Sequence, residues 1–416
     1  MKKKIIADVF LNIFASFLPM FTLQLVILPL IAKEMDSNSY GQLLSIVALI
    51  NLLGGTAGNV LNNLRLINHK KYSESKIIGD YNILLLVLIM ISVVIIYLGI
   101  KLIDGSMGLL SITMIVISTI LLIIKGYARV EFRIKLNFRN ILSESVILLC
   151  GYLFGLLLFI IFEYWEAVYL FGFLFSVIWI YKNTELLKEP IVKTEIFNKT
   201  GKQLITLYLS GLLLSLGIYV DKLLLYPLLG GAAVSVYYTS TILGKSISMV
   251  IQPITSVMLS YFAHLKEFEA KKFRILIVLV SVIGVVGYIM IILVSKPILN
   301  IIYPKYVDEA MKYININTLS IIIIIMTNII NSVLLKFCEI KWQVIINAVY
   351  MIVYVFASLV LMKYYNLMGF CIGILVASII KLLVMIFAYY QNYKLENIQD
   401  SRIELKASHL KGPRGM

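Results

Sequence analysis

The feature that most limits what this chain can become is a series of apolar stretches, each long enough to cross a bilayer. Hydropathy marks twelve, near 5–32, 42–67, 81–100, 107–128, 141–162, 166–187, 203–228, 234–263, 274–295, 311–335, 342–362 and 366–390. A spanning helix needs about 20 mostly apolar residues. Inside hydrocarbon, backbone N–H and C=O groups must bond within their own segment, which leaves helices or closed barrels. Stretches of this length joined by short polar connections predict an all-α polytopic membrane protein of about twelve transmembrane helices. Composition agrees, with 61% hydrophobic and 14% charged residues, against roughly 45–50% and 25% in soluble domains.

The net charge of +15 suggests a nucleic-acid binder until the charges are placed along the chain. With Lys2-Lys3-Lys4 in the cytoplasm, 28 of the 37 Lys and Arg residues fall on the cytoplasmic side. Only Lys33, Lys101, Lys296, Lys305, Lys312 and Lys363 fall outside, and Lys222, Lys245 and Lys381 lie within spans. This is the positive-inside pattern. It puts both termini in the cytoplasm, accounts for the charge by topology and leaves no nucleic-acid partner to expect. The first apolar run is too long for a secretory signal, and no small-residue cleavage site precedes Lys33-Glu34, so it reads as a retained helix. Cys150, Cys338 and Cys371 read as small buried hydrophobes. His69, His264 and His409 lack ligand spacing. Neither a metal nor a cofactor is expected.

The longest interior loop, KNTELLKEPIVKTEIFNKTGK, divides the chain into near-equal halves. The expected organisation is an N-terminal lobe (1–187), a cytoplasmic linker (188–202), a C-terminal lobe (203–390) and a polar tail (391–416), disordered past a short helical start. The halves share a weak signature. Tyr40 follows Pro29 by eleven residues, and Tyr238 follows Pro227 by eleven. Two six-helix halves inserted in the same orientation are related by an axis along the membrane normal, a geometry that allows alternating access.

Polar residues recur along several helices at a spacing that puts them on one face. In the second helix these are Asn51, Gly55, Gly58, Asn62 and Arg65; in the seventh, Gln203, Thr206, Ser210, Gly217 and Asp221. The eighth carries Thr241, Lys245, Ser248, Gln252 and Thr255, and the tenth Asn317, Ser320, Asn328 and Asn331. In the first helix Asn12, Ser16 and Pro19 align more loosely. Small and polar stripes also serve helix packing. Lys245, however, stands about 16 Å below the outer surface, where a charge costs roughly 2.5–3.5 kcal/mol, so it should meet water, a carboxylate or an anionic ligand. Lys222 either reaches the interface or faces a cavity. Asp221 can pair with Lys245, hold a cation or carry a proton. Lys381 reads as interhelical bonding or a lateral groove, and Asp8, Lys125 and Glu144 as solvated near cytoplasmic ends.

In four places the sequence resembles the Wzx-type polysaccharide (O-antigen and capsule) flippases of the multidrug/oligosaccharidyl-lipid/polysaccharide (MOP) exporter superfamily. These are DKLLLYPLLGGAAVSVYYTSTI, LPLIAKEMDSNSYGQLLSIVALI with its Tyr40-Gly41 pair, PILNIIYPKYVDEAMKYININTL, and NLMGF before the last helix. The likeness extends over about residues 5–390. It implies a two-lobed, MATE-like bundle with a central cavity lined by helices one, two, seven and eight. It also implies alternating-access transfer of a polyprenyl-diphosphate-linked oligosaccharide across the bacterial cytoplasmic membrane, in surface polysaccharide biosynthesis beside glycosyltransferases and a polymerase. On that reading Lys245 and Arg65 are candidates to meet the diphosphate, with Asn51, Asn62, Thr241, Ser248 and Gln252 lining the cavity and Asp221 with Lys222 as a charge pair or ion-coupling site. Relatives with several arginines in the first helix differ from this chain, which has Asn12, Ser16 and Gln24 there.

Two other classes compete. A drug or small-cation antiporter of the same superfamily calls for acidic residues in the cavity, whereas the deep charges here are mostly basic. A membrane-embedded polymerase or glycosyltransferase calls for a sizeable external loop with clustered acids or Arg/His groups, and the external loops here are short. No catalytic constellation is present, and no Gly-rich phosphate loop followed by Lys-Ser/Thr, which argues against an enzyme and against direct ATP hydrolysis.

Overall fold

A computed structural model describes residues 11, 13–15, 17–74, 78–263, 268–339 and 341–410, without the side chains at 252, 253, 256, 257, 259–261, 263 and 394–410. Asp8, Asn12, Ser16 and His264 lie outside the described residues, as do the side chains of Gln252 and His409. No strand occurs among the described residues.

The long helices are α1 (Ile13–Glu34), α2 (Ser37–Glu74), α3 (Asp80–Ile103), α4 (Leu109–Ile134) and α5 (Phe138–Phe162). They continue with α6 (Glu166–Asn183), α7 (Phe197–Leu229), α8 (Gly231–Ala263), α9 (Ala270–Ile302) and α10 (Val307–Phe337). The last helical stretch, Lys341–Leu410, is broken at Asn366 into α11 (341–365) and α12 (367–410). Among the described residues nine helical segments are long and apolar enough to cross a membrane, α11 and α12 counting there as one; α6 and α8 complete the set. The chain is a helical polytopic membrane protein.

Local chemistry sets the helix ends. The Asp36 carboxylate caps α2 by accepting from Asn38 N and Ser39 N at 2.8 and 3.1 Å, satisfying donors that a helix start leaves open. Glu163 (φ 63°) ends α5 and Gly230 (φ 82°) ends α7. Several helices differ in length from the sequence expectation; α2 runs to Glu74 and α9 over Ala270–Ile302. α4 is α-helical to Ala128, where hydropathy ends it, and after a turn at Arg129 a further helical turn, Val130–Ile134, carries it on through the first charges. The tail, expected to be disordered past a short helical start, stays helical to Leu410; Leu395, Glu396, Arg402, Glu404, Leu405 and Lys406 there are good helix formers.

By compactness the chain forms two units. One runs to Ser235 and includes Ile302–Pro304; the other holds Val236–Ile301 and the chain from Lys305 on. In the first unit α7 lies against α2, joined by a Thr56 Oγ1–Ser215 Oγ bond of 2.7 Å and by Asn68 donating to Gln203 at 2.9 Å. α2 and α4 cross where Gly58 meets Gly126, so closely that a Cβ on either would stand about 3 Å from the other's backbone. Glycine allows that approach of two membrane helices.

The segment between α6 and α7 is tied to the first unit by a polar network. Glu131 accepts from Glu185 N and Leu186 N at 2.8 and 3.2 Å. Asn82 donates to Glu189 O at 2.7 Å. Asp80 accepts from Thr194 N and Oγ1 at 2.8 and 2.5 Å, and from Tyr72 OH at 2.7 Å. At the opposite end of the helices the α1–α2 and α7–α8 turns meet. Gly231 N donates to Asn38 Oδ1 at 2.9 Å, and Ser235 Oγ to Ser37 O at 2.7 Å.

In the second unit Phe273, Ile330, Val333, Leu334, Ile346, Met385 and Tyr389 form a core between α9, α10, α11 and α12. Asn317 of α10 donates to Ser240 of α8 at 2.6 Å. Val278, Val282, Val285 and Ile289 of α9 are exposed, as lipid-facing residues should be.

Candidate functional site

The polar face of α2 opens onto a cavity of about 470 Å³ in the first unit, lined by Asn51, Gly55, Thr56, Asn59, Asn62, Lys125, Gly126, Arg129, Arg133, Ser215 and Tyr219 with a few apolar side chains. Its shape begins in the backbone. Over Asn51–Gly55 helix α2 takes one π-helical turn, a widening frequent at functional sites, and Asn51 Nδ2 donates to Val47 O at 2.8 Å. One turn on, the Gly58–Gly126 crossing brings α4 close enough for Asn62 Nδ2 to donate to Gly126 O at 2.9 Å.

That crossing sets three cations of α4 beside the asparagines of α2. Lys125, Arg129 and Arg133 are spaced by four residues, so they share one side of the helix. Arg133 donates to Asn62 Oδ1 and, at 3.2 Å, to Asn63 Oδ1. Behind them stands Glu144 of α5. Its carboxylate is 3.6 Å from Lys125 Nζ and 3.1 Å from Arg129 Nε, and Ser176 Oγ donates to it. Three cations against one carboxylate leave the group with an excess of two positive charges facing a polar cavity.

Lys125 and Glu144, expected to be solvated, are 8% and 0% exposed. The correction has a physical cause: each neutralises the other inside the bundle, so neither needs water. The spacing is present in KGYARVEFR, whose basic residues recur every fourth position, but the expected span closes at 128, which leaves Arg129 and Arg133 outside the helix that carries Lys125.

The expected site residues separate into three groups. Asn51 and Asn62 line the cavity. Arg65, on the same face of α2, is turned to the α6–α7 segment; it is 8% exposed, pairs with both Glu189 oxygens at 2.9 and 2.5 Å, and lies 4.5 Å from the Tyr81 ring centroid. Asp221 and Lys222 are both largely buried. Asp221 Oδ1 accepts from Lys222 N at 2.8 Å and stands 3.4 Å from Lys222 Nζ, so opposite charges lie side by side in α7. On that helix Thr206 and Ser210 are exposed and bond their own backbone, whereas Ser215 faces the cavity.

The remaining expected residues belong to the second unit. Lys245 is half-buried, its Nζ 5.4 Å from the Tyr237 ring centroid. Thr241 is buried and donates to carbonyls of its own helix, and Ser248 is half-buried. Lys381 lies 4.8 Å from the Tyr350 ring centroid. All three cysteines are free, and only Cys371 is buried; Cys150, expected inside, is on the exposed side of α5. Among the described residues no group of three or more His, Cys, Asp or Glu side chains is placed to hold a metal.

No family model matches the sequence, and no curated protein matches it. Solved structures share its fold. The Lipid II flippase MurJ in an inward closed conformation superposes with a TM-score of 0.67 at 13% identity, covering 99% of this chain and 92% of that one. An inward-facing multidrug resistance MATE family transporter of the MOP superfamily gives 0.62 at 14% identity, over 94% and 96%. A MOP superfamily transporter from Pyrococcus furiosus, described by a reversed polarity of its binding pocket, gives 0.55 at 12% identity, over 94% and 96%. The chain therefore has the fold of the MOP superfamily transporters.

Proposed function

We propose that this protein is a flippase of the bacterial cytoplasmic membrane. It would carry a polyprenyl-diphosphate-linked oligosaccharide to the outer leaflet for surface polysaccharide synthesis, supplied by glycosyltransferases and followed by a polymerase. The observation that carries the proposal is the cationic cavity: Lys125, Arg129 and Arg133 beside the asparagines of α2, within a membrane-spanning bundle. A cleft lined by one sign of charge at the cytoplasmic end of such a bundle concentrates ligands of the opposite sign. Cations with neutral amide donors suit an anionic, hydroxyl-rich headgroup, while the prenyl chain remains in lipid. Within the second unit, considered by itself, Lys245 with Thr241, Ser248 and Gln252 stays a candidate for contact with an anionic substrate, on the sequence pattern alone.

A multidrug or cation antiporter remains the second reading, favoured by the shared MATE fold and by the buried carboxylate of Asp221. The two separate cleanly. In a host deleted for this protein, the flippase reading expects surface polysaccharide to vanish and lipid-linked repeat units to accumulate inside. The wild-type chain should restore export, and an Arg129→Ala/Arg133→Ala double variant, expressed to the same level, should restore less than about a tenth of it. Restored drug resistance with unchanged polysaccharide would establish the antiporter instead.

A further inference from the structure

Within the flippase reading, on which this inference rests, we propose that Glu144 determines which anion the cavity accepts, acting as a fixed counter-ion that restricts the α4 cations to a doubly charged diphosphate and refuses singly charged phospholipid headgroups. The geometry is specific. Glu144 is fully buried, reaches Lys125 at 3.6 Å and Arg129 at 3.1 Å, and is held by the Ser176 hydroxyl. It does not itself line the cavity. Arg133, four residues beyond Arg129, is exposed and bonded to the neutral amides of Asn62 and Asn63.

A membrane presents such a site with a large excess of phosphodiester lipids carrying one negative charge each. Three uncompensated cations would take up any of them. With Glu144 in place, Lys125 and Arg129 already have an anionic partner, and an incoming group must compete with it. One phosphodiester can engage Arg133 but does not match the two remaining positive charges. A diphosphate diester matches them, one phosphate at Arg133 and the other toward Arg129. Discrimination comes from a built-in competitor as much as from attraction to the right ligand. Glu144 is thus a positioning and selectivity residue that acts through the cations and does not touch the substrate.

The test uses the full-length protein in nanodiscs of zwitterionic phosphatidylcholine, with binding read by titration calorimetry. Three probes are compared: a short-chain prenyl-diphosphate-linked monosaccharide, inorganic pyrophosphate and short-chain phosphatidylglycerol. The wild type should prefer the prenyl-linked diphosphate over phosphatidylglycerol by at least about tenfold, the scale of one close charge pair. If pyrophosphate binds as tightly as the prenyl-linked compound, the diphosphate alone is recognised; if it binds more weakly, the lipid carrier contributes. Both results agree with the assignment.

Glu144→Gln should tighten phosphatidylglycerol binding by about tenfold and erase most of the preference, and Glu144→Asp should restore it. Because Glu144→Gln leaves Lys125 buried without its carboxylate and can fail to fold, Lys125→Met/Glu144→Gln removes the buried pair together. It leaves Arg129 and Arg133 without an anionic competitor, so phosphatidylglycerol binding should again tighten by about tenfold and most of the preference be lost. Lys125→Met alone lowers the excess to one charge and should reduce diphosphate affinity about tenfold while changing phosphatidylglycerol little. Wild-type diphosphate binding that is indifferent to substitutions at 125 and 144 would overturn the role of Glu144 and leave the flippase reading standing. A wild type with no diphosphate preference would overturn both.

Discussion

Arg65 and Lys125 are both cations on polar faces of membrane helices, and each is neutralised by a different kind of partner. Lys125 is matched from within the bundle by Glu144. Arg65 is matched from the connection between α6 and α7, where Glu189 takes both guanidinium ends, and Tyr81 lies against the guanidinium plane. Removing one side of a buried pair strands the other charge at a cost of about 3–5 kcal/mol. Arg65→Ala should therefore lower the thermal unfolding temperature in detergent sharply, and the exchange Arg65→Glu/Glu189→Arg should recover most of the loss. A substrate-contacting Arg65 would behave differently, with normal stability in the alanine variant and export lost. At this scale the sequence was a partial guide. The helical period put Asn51, Asn62 and Arg65 on one face; Asn51 and Asn62 line the cavity, whereas Arg65 is taken up by Glu189. The sequence had no means to find Glu189, which is 124 positions away, since pairing across that distance is decided by tertiary packing.

At the scale of elements, the cavity depends on how closely α2 and α4 approach. A methyl group on Gly126 would stand 2.9 Å from Gly58 Cα, and one on Gly58 3.0 Å from Gly126 Cα. Gly58→Ala and Gly126→Ala should each cost about 1–3 kcal/mol by overpacking, and Leu at either site should abolish the monodisperse folded peak on size exclusion. Gly201→Ala is the control. Nothing lies within 4 Å of its Cβ position, and replacing a helical glycine there should stabilise α7 slightly. Helix identity was legible because apolar length is a composition signal, and the boundary that mattered most was not. The last turns of α4 are charged and helical together, and hydropathy registers only the charge. Lys125 lies inside the hydropathy span and Arg129 and Arg133 just past it, so closing the helix at 128 separated two of the three cations from the helix they share.

For the molecule as a whole, the near-repeat of proline and tyrosine in the two halves marks two turns that meet in space. Gly41 packs so tightly on Gly231 that an added Cβ would come within 1.8 Å of the Gly231 carbonyl oxygen. Gly41→Val should hold these turns apart. A transporter that must close and reopen this end would then export at less than about a tenth of the wild-type rate, and a cysteine introduced at Asn38 should react faster with a membrane-impermeant thiol reagent. Unchanged export with unchanged labelling would show that closure here has no part in turnover. Neither turn could have been matched to the other from sequence spacing alone, because the proline–tyrosine interval fixes each turn and says nothing of what it touches.

The reversal at Asn366 carries a consequence for motion. The chain turns from α11 to α12 on one residue of positive φ, Asn366 (φ 49°, ψ −134°). Gly369 and Gly373 then seat their backbones directly on Leu361 and Ser358. A joint with no slack cannot act as a hinge, so these two helices must travel as a single rod, and any bending the protein needs has to be absorbed elsewhere along the chain.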